Sequence, residues 1–158
     1  MAEINTQPQP EIRILGQLVR DLSFENIMSQ QGGGEDTQPN VQVQVTVDAR
    51  KLQAEQRFES SVKLKISSKG KGTDKVLFLL DVNYVGIFQL KNIPEDQLEA
   101  MLMIECPRLI FPFLRRVVSD MTRDGGLPPL NLEIIDFVAL YRKEIARRQP
   151  GQQPRADA

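Results

Sequence analysis

The sequence predicts an α+β fold, a four-stranded antiparallel sheet with two helical segments packed on one face. Three observations carry that reading. Apolar and polar residues alternate through much of the first part of the chain, which is the period of a half-buried strand. From Pro94 onward the apolar spacing changes to three and four, the period of a helix. Clusters of glycine and proline separate the periodic runs, as expected of turns and linkers. Strands first and helices afterwards is the order of an α+β domain rather than of βαβ units.

Residues 1–10 are polar, contain Pro8 and Pro10, and read as a tail before a single domain over 11–148. The first strand covers 11–25. Ile12, Ile14, Leu18, Leu22 and Phe24 share the core parity, and Val19, Asp21, Ser23 and Glu25 the other. Gly16 within it predicts a bulge or bend. The stretch "NIMSQQGGGEDTQPN" is a long loop, and it lacks the glycine spacing of a phosphate-binding loop. The second strand sets Val41, Val43, Val45 and Val47 against Gln42, Gln44, Thr46 and Asp48. The third sets Phe58, Val62, Leu64 and Ile66 against Lys63 and Lys65, and "KGKGTD" is its hairpin turn. The fourth carries Val76, Phe78, Leu80 and Val82 on the core parity. Four strands with local connections predict an antiparallel meander, one face buried and one wet.

The fourth strand departs from that pattern. Leu77 and Leu79 occupy positions where a wet face would carry polar groups. Burying a leucine contributes about 1.5–3 kcal/mol, so several left in water carry a cost. A covering segment, a second subunit or a docked partner is expected on that side.

The helical half opens at Pro94, Glu95 and Asp96, with proline and acids suited to an N-terminus. Leu98, Met101, Leu102 and Glu105 follow at helical spacing, and Pro107 is expected to interrupt the run. A second leg begins near Pro112, lines Phe113, Leu114, Val117, Val118 and Met121 on one face, and stops at Gly125. After the extended "LPPLNL", a last helix from about Ile135 to Arg148 aligns Ile134, Val138, Tyr141 and Ile145. Arg142, Lys143, Arg147 and Arg148 gather near its C-terminal end, where the dipole favours cations. Residues 149–158 read as a second tail.

Composition narrows the function. There is no histidine. That removes histidine general bases, Ser-His and Cys-His nucleophiles and most zinc and iron sites. Cys106 stands alone among apolar neighbours and reads as a small buried residue. Neither an enzyme nor a cofactor is expected. Twenty basic residues balance 21 acidic ones, which gives no field for nucleic acid. No apolar run is long enough to insert into a bilayer, the N-terminus has no secretory pattern, and one cysteine fits a reducing, cytoplasmic setting. Asp21, Glu25 and Asp81 share the wet-face parity with Leu79, as solvating groups or as an acidic docking patch.

The runs "RDLSFEN", "FLLDVNYVGIF" and "ECPRLIFPFLRRVVSDMTRDGGLPPLNLEIIDF" resemble the SecB family of protein-export chaperones, over roughly residues 11–148. The resemblance implies a four-stranded sheet with two helices on one face, and a homotetramer built as a dimer of dimers. It implies a cytosolic holdase that keeps precursor proteins unfolded and passes them to SecA, the translocation ATPase, with no enzymatic activity and no cofactor. The family's SecA-binding patch falls here on Asp21, Glu25, Leu79 and Asp81, with aspartate in a last position that is usually glutamate. Apolar substrate grooves are implied too, with Phe78, Leu80, Val82, Tyr84, Phe88, Phe137 and Tyr141 as candidate lining. Thr37 stands where the family often has tryptophan, and the tail with Arg155 and Asp157 is less acidic than is common. A different class, an oligomeric adaptor for one folded partner, fits the same composition.

Overall fold

The structure is a computed structural model that describes residues 8–30, 39–72 and 74–148. The two tails, apart from residues 8–10, and the loop position Thr37 lie outside them. Four strands form one antiparallel sheet: β1 (Glu11–Glu25), β2 (Pro39–Lys51), β3 (Arg57–Gly70) and β4 (Val76–Lys91). Between β1 and β2 lies a helical turn, α1 (Ile27–Gln30). After the sheet come α2 (Glu95–Ala100), a π-helical turn (Met101–Glu105), α3 (Cys106–Asp124) and α4 (Phe137–Arg148).

The strand order is β1-β4-β3-β2. Strands β2, β3 and β4 form the expected meander, but β1 pairs with β4 instead of β2. The apolar content of β4 explains the difference. A pure meander would leave β4 at an edge, with leucines on both faces and one row of backbone groups unpaired. Here it is central, and its burial is the most continuous of the four strands.

Register assigns the faces. Phe78, Leu80, Val82, Tyr84, Phe88 and Leu90 share the inner face with Val62, Leu64 and Ile66 of β3, and all are buried. Helix α3 covers this face with Ile110, Phe111, Leu114 and Val118. Gly86 marks a close approach of α3: a Cβ there would lie 2.8 Å from Ile110 and 2.5 Å from Phe88.

Strand β1 carries two bulges, with Leu15 and Arg20 as the extra residues. The first is the one Gly16 predicts. The second is not legible in the alternation, and together they reverse the phase between them. Leu18 therefore pairs with Val85 on the outer face and Val19 with Tyr84 on the inner face, opposite to the expected parity. Beyond Arg20 the expected phase returns, and Leu22 and Phe24 pack inward. The Phe24 ring lies 6.0 Å from that of Phe78. Leu77 sits at the register break between β3 and β4, which lets it leave the strict alternation and join the core.

Pro107 does not end a helix. The chain is helical from Glu95 to Asp124, and the proline is accommodated by the π-helical turn before it. The Cys106 N–H bonds the Met101 carbonyl, five residues back. The next such bond, to Leu102, would need the N–H that Pro107 lacks. The buried Ser60 hydroxyl of β3 donates to that carbonyl instead, at 2.9 Å. Substituting Ser60→Ala would leave a buried carbonyl unpaired, and a loss of about 1–3 kcal/mol is expected in urea unfolding. Pro112 lies inside α3 rather than in a first turn. It and Arg108, the residue four back, are both exposed, so water can satisfy the freed carbonyl.

The stop after α3 is a Schellman motif. Gly126, with φ of 76°, donates to the Arg123 carbonyl, and Leu127 donates to that of Thr122. Thr122 is fully buried, and its Oγ1 accepts the Leu130 N–H at 2.9 Å, fixing the linker to α3. Asp136 caps α4 by accepting the Ala139 N–H at 3.0 Å. Ile134 falls before that cap and is 86 % exposed, so it is not on the apolar face of α4.

Candidate interaction surfaces

Among the described residues no helix covers the outer face of the sheet, so cross-strand pairs define it as rows. One row holds Glu25, Leu79, Ser67 and Gln42. The next holds Ser23, Asp81, Lys65 and Gln44, and the next Asp21, Asn83, Lys63 and Thr46. Opposite residues lie about 4.5–5.5 Å apart, so these rows form one continuous surface. Asp21, Glu25, Leu79 and Asp81 are thus brought together on one face of the sheet. Leu79 is 38 % exposed there, while its neighbours Phe78 and Leu80 are buried on the other side.

The far end of the face is closed. Glu59 is 2 % exposed although it points outward, because Arg20 from β1 and Arg50 from β2 both bind its carboxylate. Burial pushes the carboxyl pKa up. Hydrogen bonds and charge from Arg50 and Arg20 outweigh that and hold it below the usual carboxylate value. The Arg20 pair spans the Val85 row, and Val85 is fully buried on this otherwise open face. Neither Glu59 nor its partners stood out in the sequence. The available signal was an acid on β3 at the same parity as Lys63 and Lys65.

Six of the seven expected groove residues belong to the core. Phe78, Leu80, Val82, Tyr84, Phe88 and Phe137 are each less than 10 % exposed and pack in the core, though Phe137 also lines an open cleft of about 490 Å³ with Phe111, Pro112 and Ile135. The reason is that α3 and the start of α4 close over the inner face. Phe137, for example, meets Phe111 edge-on at 6.1 Å. Tyr84 turns its hydroxyl to Gln17 Oε1 of β1 at 3.0 Å.

Tyr141 is placed differently. It lines a cleft of about 340 Å³ between β2 and α4, with Val45, Val47, Met103 and Leu140 among the lining. A second cleft of about 400 Å³ shares Met103 and continues past Leu98, Leu102 and Phe58. Arg148 reaches Glu99 across this second cleft and ties the end of α4 to α2. The clefts make a trough along β2 with an apolar floor and a charged rim. Apolar groups are also exposed on edge strand β1 (Ile14, Leu15, Leu18, Val19) and on α3 (Leu109, Phe113).

Cys106 is fully buried, and desolvation, with the nearby Glu105 charge, pushes its thiol up to about 12. It is a packing residue. No grouping of acidic or thiol side chains that could hold a metal occurs among the described residues, and no helix among them is long and apolar enough to cross a membrane.

Comparison with known proteins agrees with this architecture. The family described as preprotein translocase subunit SecB matches residues 5–148. The protein-export protein SecB of Roseobacter denitrificans is 59 % identical over 99 % of this chain and 95 % of its own. That of Ruegeria pomeroyi is 55 % identical over 96 % of this chain and 93 % of its own. A Mycobacterium tuberculosis SecB-like chaperone, solved in complex with a peptide from an antitoxin, superimposes with a TM-score of 0.64 at 17 % identity. That match covers 79 % of this chain and 91 % of the other and shows the shared fold. With a family match over residues 5–148 and relatives at this identity, the chain belongs to the SecB family of protein-export chaperones.

Proposed function

We propose that the chain is a cytoplasmic holdase that binds unfolded precursors in the trough beside β2 and delivers them to SecA, which docks on the outer sheet face. One observation carries the reading: the domain has two separate surfaces of different chemistry. The trough has an apolar floor, suited to extended segments of any sequence because the hydrophobic effect is non-directional. The outer face sets Leu79 among Asp21, Glu25 and Asp81, suited to one folded partner. Both surfaces suit binding, and the proposed function is binding without a chemical step.

A homotetramer, as a dimer of dimers, completes the proposal. Exposed apolar residues on an open edge strand and on α3 are what subunit contacts would cover. Several troughs in one assembly would let a long chain bind through many weak contacts. The experiment is titration of the purified protein with several unrelated unfolded proteins, alongside a Tyr141→Ala variant. Wild type should bind them all, and the variant should bind roughly three- to tenfold more weakly at unchanged melting temperature. An adaptor for one folded partner would ignore them all.

A further inference from the structure

The outer face is as basic as it is acidic. Lys65 lies directly opposite Asp81, and Lys63 opposite Asn83, one row of side chains from the acids of β1 and β4. Both lysines are exposed. Although Asp81 and Lys65 are cross-strand partners, they do not pair. Among the described residues, none of Asp21, Glu25, Asp81, Lys63 and Lys65 is in an ion pair. The other end of the same face behaves differently, since Glu59, Arg20 and Arg50 satisfy one another there. One end of the sheet has closed its charges internally, and the other holds opposite charges on different strands and leaves them open.

Resting on the reading that a folded partner docks over Leu79 and Asp81, we infer that Lys63 and Lys65 belong to the same docking surface. They set the kind of partner it accepts, one whose contact strip carries a basic row against β1 and β4 and an acidic row against β3. Spacing makes the two rows inseparable. A flat partner that covers Asp81 also covers Lys65, about 5 Å away. A uniformly basic partner would bury both lysines unpaired against like charge, which is costly at an interface. A mixed strip pairs both rows and fixes the orientation of docking.

The sign of one substitution separates the possibilities. If the partner is uniformly basic, Lys63→Glu makes the face more acidic and tightens binding. If the lysines meet acids, Lys63→Glu weakens it. Lys63 is the better probe because its neighbour Asn83 is neutral, so the new glutamate meets no acid directly opposite. We expect Lys63→Glu to weaken binding of purified SecA about five- to tenfold and Lys65→Gln about two- to threefold, with unfolded-client binding and melting temperature unchanged. Unchanged or tighter SecA binding by Lys63→Glu overturns the inference. An Asp81→Lys variant run beside it tests the underlying reading. If Asp81→Lys loses SecA while Lys63→Glu does not, only the role of the lysines fails. If Asp81→Lys binds SecA normally, the docking face itself is wrong and the inference falls with it.

Discussion

Replacing Phe88 by alanine is expected to lower unfolding stability by about 3–5 kcal/mol, read from the urea midpoint at constant slope. Phe88 is fully buried on the inner face, toward the C-terminal end of β4. It pairs with Ile14 on one side and Phe58 on the other, and its ring packs beside Gly86, where α3 comes close to the sheet. A space opened there cannot collapse readily, because the backbone of β4 is held by both neighbours. The measurement also decides between two roles. A groove residue would cost client binding and little stability. A core residue, as the packing assigns, costs stability first.

The second large effect is asymmetric. Removing both Arg20 and Arg50 as alanines should destabilise the fold by about 2–3 kcal/mol, and Glu59→Gln by only about 1 kcal/mol. The Glu59 side chain is 3 % exposed, while those of Arg20 and Arg50 are 43 % and 67 % exposed. Glu59→Gln leaves both arginine side chains in place over Val85, whereas the double variant removes both charged hydrogen-bond partners and the cover they give Glu59 and Val85. The pH dependence should weaken as well. In the intact protein the two arginines hold the Glu59 pKa below the usual carboxylate value. Its contribution is therefore complete above that value and is lost as pH falls through the lower folded value. In the double variant the arginines that depress the pKa are gone and the carboxylate they covered meets water, so the folded and unfolded values draw together. The loss of stability as pH falls through the carboxylate range should then be smaller than in the intact protein. Chemical denaturation from pH 3 to 7 reads both trends.

Much of the fold was legible because alternation records which face is buried. Val41 to Val47 on β2 and Phe58 to Ile66 on β3 need nothing more than period two. Strand order was legible in principle, since a strand apolar on both faces belongs in the middle. Chain order suggested otherwise, because adjacency of consecutive strands is a strong default. The phase of β1 was hidden because one of its bulges falls at Arg20, a residue with no conformational signature. Pro107 misled for a related reason. Proline removes one donor, and a serine 47 positions away on β3 supplies another, which no local pattern can announce. The acidic face was legible since Asp21, Glu25, Leu79 and Asp81 keep one parity beyond the bulge. The trough was not. It arises where β2 meets the π-helical turn and α4, and its floor residues look like ordinary core in the sequence.

Asp81→Lys is the most direct measurement on the two-surface account. It reverses one charge at the centre of the outer face, on the opposite side of the sheet from α3, with Leu80 and Val82 beside it still packed inward. The predicted result is loss of SecA binding by at least about tenfold, with the binding of unfolded clients unchanged. Loss of both, or of neither, would contradict the assignment of the two activities to separate faces.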